Sequence, residues 1–205
     1  MNEPFLQTVS TLLSALSGWE WIATTLGILY VILAAKESIW CWPTAFVSTL
    51  IYTLLFWEGQ LPMQALLNAY YLFMAVYGFM LWRKHGDQKE DLRISTRPVR
   101  FHIIYIVSGA VLTVATGFYI DNVLHSRLPF LDAFVTVFSV MNTVLMARKV
   151  LENWLYWLII DSAAIALYWQ TGFHITIIMF GVYLILAIVG YYNWKKLFQT
   201  RTQSS

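Results

Sequence analysis

Charge is what this chain of 205 residues has least of: Asp, Glu, Lys and Arg together make up 12% of it. A water-soluble domain carries about 25%. The net charge of +2 gives no basic surface of the kind that nucleic acid requires. One cysteine, Cys41, excludes an internal disulfide framework and a CxxC metal site, and reads as a core or lipid-facing side chain. His85, His102, His125 and His174 lack metal-ligand spacing and read as interfacial. Phosphate-cradling glycine loops, nucleophile elbows and HExxH helices are missing too, so neither enzyme chemistry nor a cofactor or metal is expected. The first 18 residues lack a basic n-region and a small-residue cleavage site, which argues against a cleaved signal peptide and leaves insertion to the first spanning helix.

What is present is oil: 59% hydrophobic and 17% aromatic residues, with mean hydropathy +0.62. The apolar runs approach the roughly 20 residues that a helix needs to cross a bilayer. Seven are expected, at 20–36, 40–57, 62–82, 101–120, 132–148, 153–170 and 174–194, with Gly59, Pro62, Pro129 and Gly172 between them. Numbering the membrane sides by alternation puts twelve of the 13 Lys and Arg residues on one side, and only Arg127 on the other. Positive charge is retained in the cytoplasm, so the N-terminus is expected outside and the C-terminus inside.

A shift of 112 residues superposes one half of the chain on the other. Trp42 then meets Trp154, Trp57 meets Trp169, Tyr71 meets Tyr183, Gly78 meets Gly190, Trp82 meets Trp194, and Glu20 meets Asp132. Four spans separate equivalent helices, so the two halves run the same way through the membrane. The expectation is an all-α membrane protein: an interfacial segment (1–19), a three-helix repeat (20–84), a basic loop (85–100), a linking helix and outer loop (101–131), a second three-helix repeat (132–196) and a polar, mobile tail (197–205). Parallel repeats of this kind occur in transporters, whose solute sites lie near the midplane between repeats.

One acid sits in the wrong solvent. In "ENWLYWLIIDSAAIALYW" (152–169), Asp161 falls about nine residues into an apolar span, while the other ten acids lie in links, termini or span ends. A carboxylate at that depth costs about 3 kcal/mol on insertion scales, and no Lys or Arg is expected beside it. On a helix, Trp154, Trp157, Asp161 and Tyr168 share a stripe about 60° wide. Two readings remain: a protonated acid bonded to Asn142 or Ser139 on a neighbouring helix, or a site where indole faces and a carboxylate receive an organic cation. Ser48 and Tyr52 in the second span, Asn68 and Tyr71 in the third, Asn142 in the fifth and Tyr183 in the seventh complete the candidate substrate-binding set; Thr49 is the repeat mate of Asp161.

The run "RKVLENWLYWLIID", with Trp154, Trp157 and Asp161 as WxxWxxxD, resembles the signature of the Pnu family of vitamin transporters. The likeness extends over about residues 20–196 and includes "EGQLPMQALLNAYYLFMAVYGFMLW" (58–82). It implies seven helices in a three-one-three order similar to a full-length SWEET transporter. It also implies a bacterial inner-membrane location, homotrimers, and facilitated diffusion made one-way by a cytoplasmic kinase. The nicotinamide riboside branch, PnuC, carries Asn at the last signature position, and amides where Ser48, Asn68 and Ala75 stand. The exchange of Asn for Asp161 points toward the thiamine branch, PnuT, whose solute bears a permanent thiazolium charge. Nicotinamide riboside carriage by the same fold, or a proton-coupled carrier with Asp161 as the proton site, are the alternatives.

Overall fold

A computed structural model describes residues 18–58, 62–83, 92–124, 128–171 and 174–203. Among them are seven α-helices: α1 (Gly18–Ala35), α2 (Cys41–Glu58), α3 (Pro62–Arg83), α4 (Val99–Tyr119), α5 (Pro129–Ala147), α6 (Asn153–Thr171) and α7 (His174–Gln203). A π-helical turn, Ile120–Leu124, follows α4. Five helices, α1, α3, α4, α5 and α7, contain stretches long and apolar enough to cross a membrane by length and composition. The two that do not, α2 and α6, occupy equivalent places in the two halves and carry the polar Ser48, Thr49, Thr53 and Asp161. Of the interfacial segment only Gly18 and Trp19 are described, and the basic loop is described from residue 92 onward. The expected tail differs: α7 continues to Gln203, and Arg201 pairs with Glu37, because the helix carries its basic last turn back to a buried acid.

Each helix packs on its chain neighbours within a half, α1 on α2 on α3 and α5 on α6 on α7. The halves then join by α1 against α7 and α3 against α5, so six helices close into a ring. The fourth stands outside it, packed on α5, where Gly109 and Gly117 admit the rings of Phe138 and Phe130. Its outer face, including Ile103, Ile104, Val107, Val111 and Phe118, is exposed, as lipid rather than water would require.

The 112-residue repeat is visible atom by atom at the end of the ring where the basic residues collect. The first and fifth helices end in the same cap: Ser38 N–H donates to Leu33 O (2.9 Å) and Glu37 N–H to Ala34 O (2.9 Å), matched by Val150 N–H to Leu145 O (3.0 Å) and Lys149 N–H to Met146 O (3.0 Å). This paired bonding is the Schellman arrangement, which needs a left-handed residue at its apex. That residue is usually glycine; here it is Glu37 (φ 56°) and its mate Lys149 (φ 51°). Each left-handed side-chain residue costs about 1–2 kcal/mol. The two apex side chains meet in an ion pair of 2.7 Å, and Arg201 adds a second cation to Glu37 at 3.0 Å.

Above this pair sit four indoles. Trp42 and Trp82 meet edge to face at 5.5 Å, as do Trp154 and Trp194, and Trp82 approaches Trp194 at 6.2 Å. Trp82 Nε1 donates to Ala147 O and Trp194 Nε1 to Ala34 O, both at 2.9 Å, so each half holds the other by the same bond. Gly78 and Gly190 are glycine because a Cβ at either would enter the ring of Trp42 or Trp154. The Lys149 ammonium lies 4.4 Å from the Trp82 ring centre. The basic end of the ring is thereby closed. The segment 92–98 is fastened beside it, with Ser95 N–H donating to Lys149 O (3.0 Å) and Leu151 N–H to Ser95 O (2.8 Å).

Lys149→Met should strand the Glu37 carboxylate with only its more exposed partner, lowering stability in detergent by about 3–5 kcal/mol. The Glu37→Met/Lys149→Met double variant should recover much of that loss. Thermal unfolding of both variants checks it. Gly190→Leu should drive Trp154 out of the quartet and lower the melting temperature by more than Gly181→Leu, where the added side chain meets open space.

Candidate functional site

A layer of polar side chains crosses the ring halfway along its helices. Gly27 is the tenth of 18 residues in α1, Ser48 the eighth of 18 in α2, and Tyr71 the tenth of 22 in α3. Ser139 is the eleventh of 19 in α5, and Asp161 the ninth of 19 in α6. Tyr183 is the tenth residue of α7. Tyr30, Tyr71 and Tyr183 are half-buried.

Asp161 is 3% exposed. The ion pairs among the described residues engage Glu37 and Glu152, so no cation in them meets Asp161. Asn142 and Ser139, considered above as its partners, are engaged elsewhere. Asn142 lies toward the basic end rather than at the midplane, where its Nδ2 donates to Asn153 O (3.0 Å) at the start of α6. Ser139 faces Tyr71 of α3. Tyr183 lies within electrostatic range of Asp161 and of Tyr52. An acid with no fixed counter-charge, at this depth, leaves room for a mobile one.

The remaining candidates divide. Trp154 is 1% exposed and packed against Trp194, at the closed basic end rather than beside the acid. It lies seven residues, about 10 Å of helix, from Asp161. Trp157 lies between, half-buried against the core on both sides of α6. The shared stripe is thus real along the helix but spread over two levels: closure below, polar layer above. Ser48 donates to Ala23 O at 2.7 Å, its partner across the α1–α2 contact. Tyr52 shares a 2.6 Å hydrogen bond with Thr24 and stacks on Phe56 at 5.7 Å. Tyr168 stacks on Phe180 at 5.6 Å toward the other end, and Phe180 meets Tyr183 edge-on at 5.8 Å. Asn68 is half-buried on α3. One position of the layer, Gly27, escaped the sequence reading. The repeat could have marked it, as the mate of Ser139.

Residues 17–196 match the family model for nicotinamide mononucleotide transporters. The chain is 29% identical to a nicotinamide riboside transporter PnuC of Neisseria mucosa, over 86% of this chain and 71% of that protein. It is 26% identical to the riboflavin/roseoflavin transporter RibM of Streptomyces davaonensis, over 85% and 83%. The PnuC of Escherichia coli is 24% identical, over 87% and 85%. Its fold is similar to that in a crystal structure of the vitamin B3 transporter PnuC, with a TM-score of 0.75 and 26% identity, covering 95% of this chain and 88% of that one. A closed ring of apolar helices around a polar layer is what such a carrier needs, and a multi-pass inner-membrane location goes with it. This chain belongs to the nicotinamide mononucleotide transporter family, whose members are membrane transporters of vitamin-like solutes.

Proposed function

We propose that this protein carries a flat, cationic vitamin across the inner membrane by facilitated diffusion, with Asp161 as the counter-charge. The observation that carries the reading is the uncompensated carboxylate of Asp161 in the mid-membrane layer. At about 4 Å, a cation gains up to about 4 kcal/mol from one carboxylate at an effective dielectric near 20. Indole and phenol faces add about 0.5–2 kcal/mol. Trp157, Tyr71, Tyr183 and Tyr52 are the aromatic surfaces nearest the layer, and Ser48 and Asn68 its hydrogen-bonding edge. The relatives' names support nicotinamide riboside as the solute. Its pyridinium is a flat cation and meets the same requirement.

Thiamine is the second reading, favoured by one residue: the acid at position 161 where the nicotinamide riboside branch carries an amide. Its thiazolium charge is permanent and its aminopyrimidine can donate to a carboxylate. Riboflavin, the solute named for another relative, is neutral and makes less use of Asp161.

The basic end, with Lys36, Arg83, Arg148, Lys149, Lys195 and Lys196, is proposed to face the cytoplasm. The tryptophan quartet is then the inner gate, and rocking of one repeat against the other opens it. Chemical trapping by a cytoplasmic kinase makes uptake one-way. A homotrimer, with α4 and its exposed outer face at the periphery of the ring, is the proposed assembly.

Proteoliposomes loaded with cold nicotinamide riboside or cold thiamine should accumulate the same labelled solute by counterflow. Absence of both would sink the cationic-vitamin reading. Excess riboside should compete away labelled riboside and leave thiamine binding untouched if thiamine is the true solute, and the converse holds. Accumulation that collapses with a protonophore in kinase-free vesicles would instead make Asp161 a proton site. Asp161→Asn should weaken binding of the carried cation by about 1–3 kcal/mol, the loss of a charged hydrogen bond, read by calorimetry.

A further inference from the structure

The two duplicated caps at the basic end are not held in the same way. The second, at Lys149, is fastened backbone to backbone. Ser95 N–H donates to Lys149 O (3.0 Å) and Leu151 N–H to Ser95 O (2.8 Å), while Ile94 is buried in the core beside them. No backbone bond from another segment reaches the first cap, at Glu37, among the described residues. That cap is tied to the other half by side chains. Trp194 Nε1 donates to Ala34 O (2.9 Å), and one oxygen of Glu37, Oε1, takes both Lys149 Nζ (2.7 Å) and Arg201 Nη1 (3.0 Å). Both cations belong to the second half, so parting the halves here takes both from the carboxylate at once. They differ in access: the Lys149 side chain is 11% exposed and the Arg201 side chain 44%. Arg201 can stand in water because α7 has 30 residues, about 45 Å of helix, against a hydrocarbon core of about 30 Å. Its last turns project beyond the lipid, and from there the guanidinium reaches back to an acid that is 7% exposed. Trp194 is buried, so of these three ties the one open to water is that of Arg201.

We propose that Arg201 is a positioning residue of the transport cycle: acting through Glu37, it holds the first cap against the strapped second one and keeps the inner gate shut. This rests on the reading of the tryptophan quartet as that gate. One strapped cap and one tied cap make the second half the frame and the first half the mover. When α1 and α2 swing, Glu37 leaves both partners, and water entering from the cytoplasm solvates the charges. An exposed guanidinium is screened by salt and loses side-chain entropy when held, so its share of the lock is small and adjustable. The buried Lys149 keeps the halves in register, and Arg201 sets how often the gate opens. Its contact to Glu37 is made through one nitrogen, so a lysine can replace it.

The chain carries its own reporter. Cys41, its single cysteine, is 0% exposed and packs in one cluster with Trp42, Ala147 and Trp194, so a thiol reagent meets it only when the seam opens. In proteoliposomes of known orientation, a membrane-impermeant maleimide added at the basic end should label Cys41 about fivefold faster in Arg201→Gln than in wild type. Arg201→Lys, which keeps the charge, should stay within about twofold of wild type. Raising salt from about 0.05 M to about 0.5 M should speed labelling of wild type and leave Arg201→Gln within about twofold, since the exposed pair is what salt screens. Equal labelling of Arg201→Gln and wild type overturns the latch and leaves the gate standing. So does an acceleration that Arg201→Lys shares in full, which is general loosening. Labelling only from the opposite side, or from neither side in either protein, overturns the inner-gate reading and the latch together.

Discussion

The ion pair between Glu37 and Lys149 is the point on which the two halves depend. Its partners are equivalent residues in a duplicated cap, each held in a left-handed conformation that a side chain resists. Had both positions kept the same residue type, the halves would repel or leave the gap unfilled. Opposite charges at equivalent positions turn two strained caps into a junction. The reciprocal indole bonds, Trp82 to Ala147 and Trp194 to Ala34, can form only when those caps are in register. A buried pair of this kind contributes less to stability than to registry. Here it fixes which half is which at the closed end.

Half a membrane away, the same duplication is broken to the opposite effect. At the closed end, asymmetry satisfies every charge it introduces. In the polar layer, Asp161 for Thr49 leaves a carboxylate without an ion pair among the described residues. Lipid cannot solvate such a group. α2 and α6, the two helices without a stretch long and apolar enough to cross a membrane, carry Ser48, Thr49, Thr53 and Asp161.

Much of this was legible beforehand. Seven helices followed from the length of the apolar runs, because a backbone in lipid has no alternative to bonding itself. The repeat was legible through its six tryptophans, four of which, Trp42, Trp82, Trp154 and Trp194, are in mutual contact. Asp161 stood out by depth alone. Asn142 did not read correctly: its amide looks like a midplane group, but the turn of α5 carries it toward the start of α6, and periodicity does not reveal depth within a few residues. Trp154 shares a helical face with Asp161, yet α7 covers it. Gly27 was silent because the absence of a side chain carries no signal until the tyrosine packed on it, Tyr183, is known.

The sequence by itself determined the membrane as solvent, the number of helices, the duplication and the misplaced acid, since each follows from hydropathy and periodicity along one chain. Only the tertiary structure decided which groups were spent. Whether Tyr71, Tyr183, Trp154 or Asn142 is free to meet a solute depends on what a neighbouring helix presents to it. That pairing spans 40 residues of sequence or more in each case but the local bond of Asn142, and it is fixed by the packing of helices rather than by any pattern along one of them.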